Sequence, residues 1–289
     1  MSGSSMRDIK RRIKSVTSIE HITNAMKLVS AAKLRRARAT WESSREYFHI
    51  VTEAIEDLFN SHAGDIPTKY IEGDDDVPGT CYVIVTSNRG LAGSFNSNVI
   101  KHAESQIVAR GEDTFLVAIG SKGRDHFKKR GYNILSEYSR PPENISFRET
   151  HEISRPIIKL FDEDKIGRVV LVYTRFISTL ELRQTAIQLL PFHIELDPDI
   201  PVREKFMEYE PSPADLIKYL VKKYAEMMIY GAIVESATCE HAARRMAMEN
   251  ATDNAQEMIG DLQLFYNRAR QAAITKEITE IVSGAEALD

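Results

Sequence analysis

Residues 213–287 read PADLIKYLVKKYAEMMIYGAIVESATCEHAARRMAMENATDNAQEMIGDLQLFYNRARQAAITKEITEIVSGAEA, a stretch with no proline after its first residue and only Gly231, Gly260 and Gly284 to weaken a helix. Its start is signalled in the residues around it: Ser212 is placed to be the N-cap, Pro213 the first helical residue and Asp215 the acid facing the orphan amides. A helix of this length spans about 110 Å at 1.5 Å per residue. At the other end of the chain, residues 7–60 contain neither Gly nor Pro and predict a second rod of about 80 Å. Leu34, Ala37, Trp41, Ser44, Phe48, Val51, Ile55 and Leu58 follow one another at alternating steps of three and four, the seam of a coiled coil. Ile9, Ile13, Val16, Ile19, Ile22, Met26 and Val29 carry the same stripe less strictly.

Between the two rods the period changes. A loop over 62–79 is dense in turn formers and acid, and after it come short β-branched runs at 81–86 (CYVIVT), 114–119 (TFLVAI) and 168–173 (RVVLVY), with a further run at 184–192. Helix-like segments at 98–109, 122–130 and 153–162 separate them. Alternation of this kind implies a mostly parallel sheet with helices on its faces. The fold class is therefore α/β: a long antiparallel coiled coil of N- and C-terminal helices plus a central Rossmann-like domain. The expected division is 1–62 for the first helix, 63–210 for the α/β domain and 211–289 for the last helix.

If both helices leave the same end of the α/β domain, the C-terminal one outruns its partner by roughly 20 residues, about 30 Å. On that overhang Ile274, Ile278, Ile281, Ala285 and Leu288 repeat at four, three, four and three. An apolar stripe without an intramolecular partner marks a binding surface. The alternative is a tail that folds back on the sheet.

Composition narrows the class of molecule. With 43% apolar and 28% charged residues over 289 positions, wholesale disorder and a disulfide scaffold are excluded. Cys81 and Cys239 lack the C-x-x-C spacing of redox or zinc motifs, and no window approaches the ~18 uninterrupted apolar residues of a spanning helix. The net charge of -4 hides an asymmetry, because eleven Lys/Arg against three Asp/Glu between Arg7 and Arg45 give that stretch +8 and leave -12 for the rest. Few of these cations have an acid at i±4, which points to an acidic partner: nucleic acid, anionic lipid or an acidic protein surface.

Catalytic signatures are missing: G-x-x-x-x-G-K-[ST], H-E-x-x-H, G-x-S-x-G and G-x-G-x-x-G do not occur. His21 and His241 have no second ligand one turn away, so neither metal nor catalytic residues are assigned. The loop over 86–96 lies between a strand and a helix, where Arg89, Gly90 and Gly93 could cradle an anion or could simply form a tight turn.

Five segments carry a resemblance. RDIKRRIKSV (7–16) with ITNAMKLVSAAK (22–33), SNRGLAG (87–93), ATDN (251–254) and YNRARQAAITKEITEIVSG (266–284) resemble the gamma subunit of rotary F-type ATP synthases, nearly end to end. Ala92 stands where many members of that family carry cysteine. The resemblance implies a non-catalytic rotor shaft without cofactors, turning inside a ring of alpha and beta subunits and standing on epsilon and the membrane c-ring, with delta in the same complex. Its place would be the cytoplasmic face of a bacterial plasma membrane, touching membrane only through the c-ring and binding no nucleic acid.

Residue by residue, the resemblance implies that Met26, Arg244 and Gln271 contact the stator. It makes Ile274, Ile278, Ile281, Val282 and Leu288 an apolar bearing tip, and Lys10, Arg11, Arg12, Lys33, Arg35 and Arg36 a basic belt facing acidic lever loops of beta. Tyr209 and Glu210 fall in the foot toward epsilon and the c-ring. From spacing alone Met26 is equally a seam residue. Two other readings compete with the shaft: a basic coiled-coil nucleic-acid binder or scaffold, which leaves the apolar overhang unexplained, and an α/β enzyme with a helical lid, which the missing motifs disfavour.

Overall fold

The run Thr80–Val85 forms the central strand β1, as consecutive apolar residues should where both faces of a strand are covered. A computed structural model describes residues 6–61, 68–70, 73, 77–111, 113–192 and 213–286. Within them the order is α1 (Met6–Ser61), β1, α2 (Phe95–Arg110), β2 (Thr114–Ile119), α3 (Ser121–Lys129), β3 (Asn133–Tyr138), α4 (Phe147–Asp162), β4 (Arg168–Phe176), β5 (Leu182–Leu190) and α5 (Pro213–Glu286). The strands lie side by side as β3-β2-β1-β4-β5, parallel except for β5, which runs antiparallel to β4.

Alternate residues of the sheet feed two cores. Cys81, Val83 and Val85 join Ile153, Ile157 and Phe161 of α4 and Val221, Ile229 and Ile233 of α5. Tyr82 and Ile84 join Val99, Ile100, Ala103 and Ile107 of α2 and Phe127 of α3. Two elements differ from the sequence reading. Strand β3, NILSEY, alternates exposed and half-buried residues as an edge strand does, and shows no apolar run. Helix α4 begins six residues before the expected 153, because Ser146 and Glu149 form a capping box that starts the helix early.

The chain divides into two compact units, Ala32–Ala243 and the pair Met1–Ala31 with Arg244–Asp289. In the first, Leu34, Ala37, Trp41, Ser44, Phe48 and Val51 are buried or half-buried, the seam the spacing predicts. Helix α5 comes so near that a Cβ on Gly231 would lie 2.8 Å from Phe48 Cε2.

In the second unit the helices pair antiparallel, with Thr252 donating to Thr23 at 2.8 Å and Gln256 to Glu20 at 3.3 Å. Here the expected stripe is corrected. Ile19, Ile22 and Val29 face solvent, and the positions at steps of four and three from Ile9 are Ile13, Val16, Glu20, Thr23, Lys27 and Ser30. Thr23 and Ser30 can enter the seam because their hydroxyls donate to the Glu20 and Met26 carbonyls, at 3.0 and 2.7 Å, and leave no buried donor unpaired.

Candidate functional site

Continuing the register of the Thr23–Thr252 pair puts Met6 level with about residue 270 and leaves about 16 residues of α5, roughly 24 Å, beyond the start of α1. The bearing residues lie on that projection. Ile274 is 48% exposed, Ile278 56%, Ile281 67% and Val282 52%, so the stripe is left uncovered by the described residues of its unit. Leu288 falls outside the described residues, as do Tyr209 and Glu210.

The three stator-contact residues share this unit but not one site. Met26 is half-buried beside the seam. Arg244 is only 9% exposed and already makes an interaction inside the chain, whereas Gln271 is exposed. The 27 positions between Arg244 and Gln271 place them about 40 Å apart along one helix, so they serve two different heights. Of the belt, Lys10, Arg11, Arg12, Arg35 and Arg36 are exposed, and Arg11 pairs with Asp8 at 3.1 Å.

Lys33 is committed elsewhere. Its Nζ donates to Glu143 at 2.9 Å, and the same carboxylate lies 3.9 Å from Nε2 of buried His241. Burial works to raise the carboxyl pKa of Glu143, but the hydrogen bond from Lys33, its own backbone amide and the nearby His241 and Lys33 charges outweigh it and hold the group below the usual range.

The loop with Arg89, Gly90 and Gly93 joins β1 to α2 and is tied to the start of α3 by hydrogen bonds. Ser121 N–H donates to Asn88 Oδ1 at 2.7 Å, Lys122 N–H to Ser87 O at 3.1 Å, Gly123 N–H to Thr86 Oγ1 at 2.9 Å and Ser87 N–H to Asn96 Oδ1 at 2.9 Å. At the start of α2, which follows the loop, Phe95 N–H donates to Ala92 O at 3.2 Å and Asn98 N–H to Ser94 O at 2.9 Å. Gly93 is there for its positive φ of 56°.

The strand order places a switch point between β1 and β4, where doubly wound sheets bind ligands beyond the carboxyl ends of their strands. Protein fills that crevice. Ala92 and Phe95 after β1 and Phe176 at the end of β4 pack with Leu34 and Trp41 of α1 and Cys239 and Ala242 of α5. Trp41 meets Phe176 edge to face, centroids 5.7 Å apart. The sheet is therefore a socket for the two helices. Sequence reading missed this role, although Glu235 within the buried run IVESA was its visible sign.

The family model described as ATP synthase matches residues 5–288. The ATP synthase gamma chain of Alkaliphilus metalliredigens is 46% identical, with 99% of each chain covered. The chain belongs to the ATP synthase gamma chain family. The sodium ion specific gamma chain of Acetobacterium woodii is 40% identical over 98% of this chain and 99% of its own. Among solved structures, the rotor of Euglena gracilis mitochondrial ATP synthase shares the fold at a TM-score of 0.65 and 17% identity, covering 93% of this chain and 98% of that one. The central stalk of the Tetrahymena thermophila enzyme does so at 0.62 and 23%, covering 80% and 99%.

As a gamma chain the protein is a non-catalytic central-stalk subunit, the shaft that couples ion flow to ATP synthesis and hydrolysis. A filled switch point fits that role, because the crevice other α/β folds give to a ligand here holds the shaft. No helix among the described residues is long and apolar enough to cross a membrane, and the family's complex is a peripheral membrane assembly.

Proposed function

We propose that the projecting end of α5 turns in an apolar sleeve formed by the alpha and beta subunits, with Ile274, Ile278, Ile281, Val282 and Leu288 as the bearing. The single observation supporting this is the exposed stripe on a helix that has outrun its partner. In the same reading residues 1–62 and 211–289 are the shaft, and 63–210 is the body that carries Tyr209 and Glu210 toward epsilon and the c-ring. Delta belongs to the same complex, which sits at the cytoplasmic face of a bacterial plasma membrane.

Met26 meets a beta lever as an unbranched apolar side chain that slides where a Lys would form a clinging ion pair. Lys10, Arg11, Arg12, Arg35 and Arg36 face acidic lever loops, while Lys33 contributes mainly to holding Glu143. Gln271 and Arg244 engage the stator at separate heights, and Arg244 does so only by exchanging its partner inside the chain for one on beta.

Mechanism follows from symmetry. One shaft inside three chemically identical catalytic subunits shows each a different face, so the three nucleotide sites cannot have equal affinity at one instant. To move a site between states that differ about 10⁴-fold, the contacts must differ by roughly 5.5 kcal/mol between orientations. Co-purification of the chain with its partners, followed by mass spectrometry, tests the reading: alpha, beta, epsilon and c should appear, and a preparation without alpha and beta would count against it.

A further inference from the structure

Strand β1 pairs with β4 only as far as Ile84 opposite Val172, yet β4 runs on to Phe176. Beyond that point the edge of β4 that β1 no longer covers is completed by side chains of α5. Glu235 Oε1 accepts the Phe176 N–H at 2.9 Å, and Ser236 Oγ accepts the Thr174 N–H at 3.3 Å. Cys239 Sγ donates to the Thr174 carbonyl at 3.4 Å. All three side chains are buried, and residues 235, 236 and 239 lie on one face of the helix. The Tyr173 hydroxyl also hydrogen-bonds Glu235, and burial together with that carboxylate pushes the phenol pKa up. Helix α5 thus stands in for the missing length of β1.

We propose that Glu235 and Ser236 are positioning residues that fix the angle of the shaft on the sheet, so that torque passes between the α/β body and the helices without slip. Around them Leu34, Trp41, Phe95, Phe176 and Ala242 form an apolar joint. Burial of apolar surface is non-directional, so it resists separation of the parts but not their sliding. Hydrogen bonds to backbone are directional, and they break when the helix turns on the strand. Their donor side is anchored: β4 is paired with β5 from Val169 to Phe176 and with β1 as far as Val172. A carboxylate inside an apolar stretch is costly unless it is fully hydrogen-bonded, which identifies Glu235 as the member of the joint with most to lose. The proposal rests on the shaft role of the chain.

The test uses the whole ion-pumping complex in sealed vesicles, with ATP hydrolysis and ATP-driven ion uptake measured together. A Glu235→Leu, Ser236→Ala complex should hydrolyse ATP within about twofold of wild type, while ions pumped per ATP fall about fivefold or more. Glu235→Gln keeps a carbonyl acceptor for Phe176 and should pump within about twofold of wild type. A merely structural role would lower both rates together and would not distinguish Leu from Gln. If the double variant does not assemble, Ser236→Ala alone should lower ions pumped per ATP about twofold. Unchanged pumping per ATP in the assembled double variant, or in Ser236→Ala where that is the variant that assembles, overturns the proposal, as does an equal loss in Glu235→Gln. A wild-type complex that hydrolyses ATP without pumping would overturn the shaft reading and the joint with it.

Discussion

The Thr252 hydroxyl donates to Thr23 at 2.8 Å across the buried seam of the helical pair, sharing its proton with the Met248 carbonyl at 2.7 Å, and the Thr23 hydroxyl donates to the Glu20 carbonyl. Two polar side chains thereby take seam positions that aliphatic residues usually hold. Thr252→Val removes the inter-helical donor while Thr23 keeps its local acceptor, so the loss should be about 1 kcal/mol. In a cycle with Thr23→Val the two changes should couple by about 0.5–1 kcal/mol, measured by urea unfolding of the isolated chain. Strict additivity would mean that the pair contributes nothing across the seam.

Gly231 sits where α5 crosses Phe48 of α1. Alanine is the better helix former by about 1 kcal/mol, but its Cβ would press on Phe48 Cε2 and Cζ at 2.8 and 3.1 Å, an overpacking cost of about 1–3 kcal/mol. Gly231→Ala should therefore destabilise. In a Phe48→Leu background the same change should stabilise by about 1 kcal/mol. Thermal unfolding of the four chains reads the sign, and the same sign in both backgrounds would rule out the clash.

The two cysteines are buried. Burial pushes the Cys81 thiol up to about 12, and burial with the Glu235 charge raises Cys239 as well. At pH 8 the Cys81 thiolate is then on the order of 10⁻⁴ of the native population, and iodoacetamide should label neither thiol until the chain unfolds. Because both pKa values are raised in the folded state, the stability of the neutral thiols is complete below the unfolded value of about 8.5 and is lost as pH rises above it. Mass spectrometry after brief alkylation at pH 8 checks the labelling. One fast-reacting site in the native chain would contradict the burial.

Deleting residues 274–289 removes a segment whose described side chains, 274–283, are exposed. Unfolding free energy should change by no more than about 0.5 kcal/mol. Torque and assembly of the alpha–beta ring should fall much further. Equal losses in fold and in assembly would mean that the tip packs on its own chain.

Much of this was legible in the residues, for reasons that also explain the gaps. The seam from Leu34 to Val51 could be read because Leu34, Trp41, Phe48 and Val51 are large and apolar. From Glu20 to Ser30 the periodicity misled: Ile19, Ile22 and Val29 are the apolar residues there, yet small polar residues that bond their own helix carbonyls took the buried side. The runs at 114–119 and 168–173 showed as β-branched, although the second strand continues to Phe176, whereas the NILSEY strand lies at an edge and carries only half the signal. The Ser146–Glu149 capping box was present in the letters and would have moved the start of α4. The exposed tip could be anticipated from the unequal helix lengths. Burial of Arg244 could not, since a helix-borne arginine looks alike in sequence whether it faces solvent or a neighbour.

The central claim is that this chain turns as a shaft inside a stationary ring, and single-molecule rotation tests it directly. Val108, 75% exposed on α2, can be changed to cysteine to carry a bead, since the natural thiols are buried. With the alpha–beta ring fixed to a surface and ATP supplied, the bead should revolve in one direction in three equal steps per turn. Steady hydrolysis with a stationary bead would contradict the account.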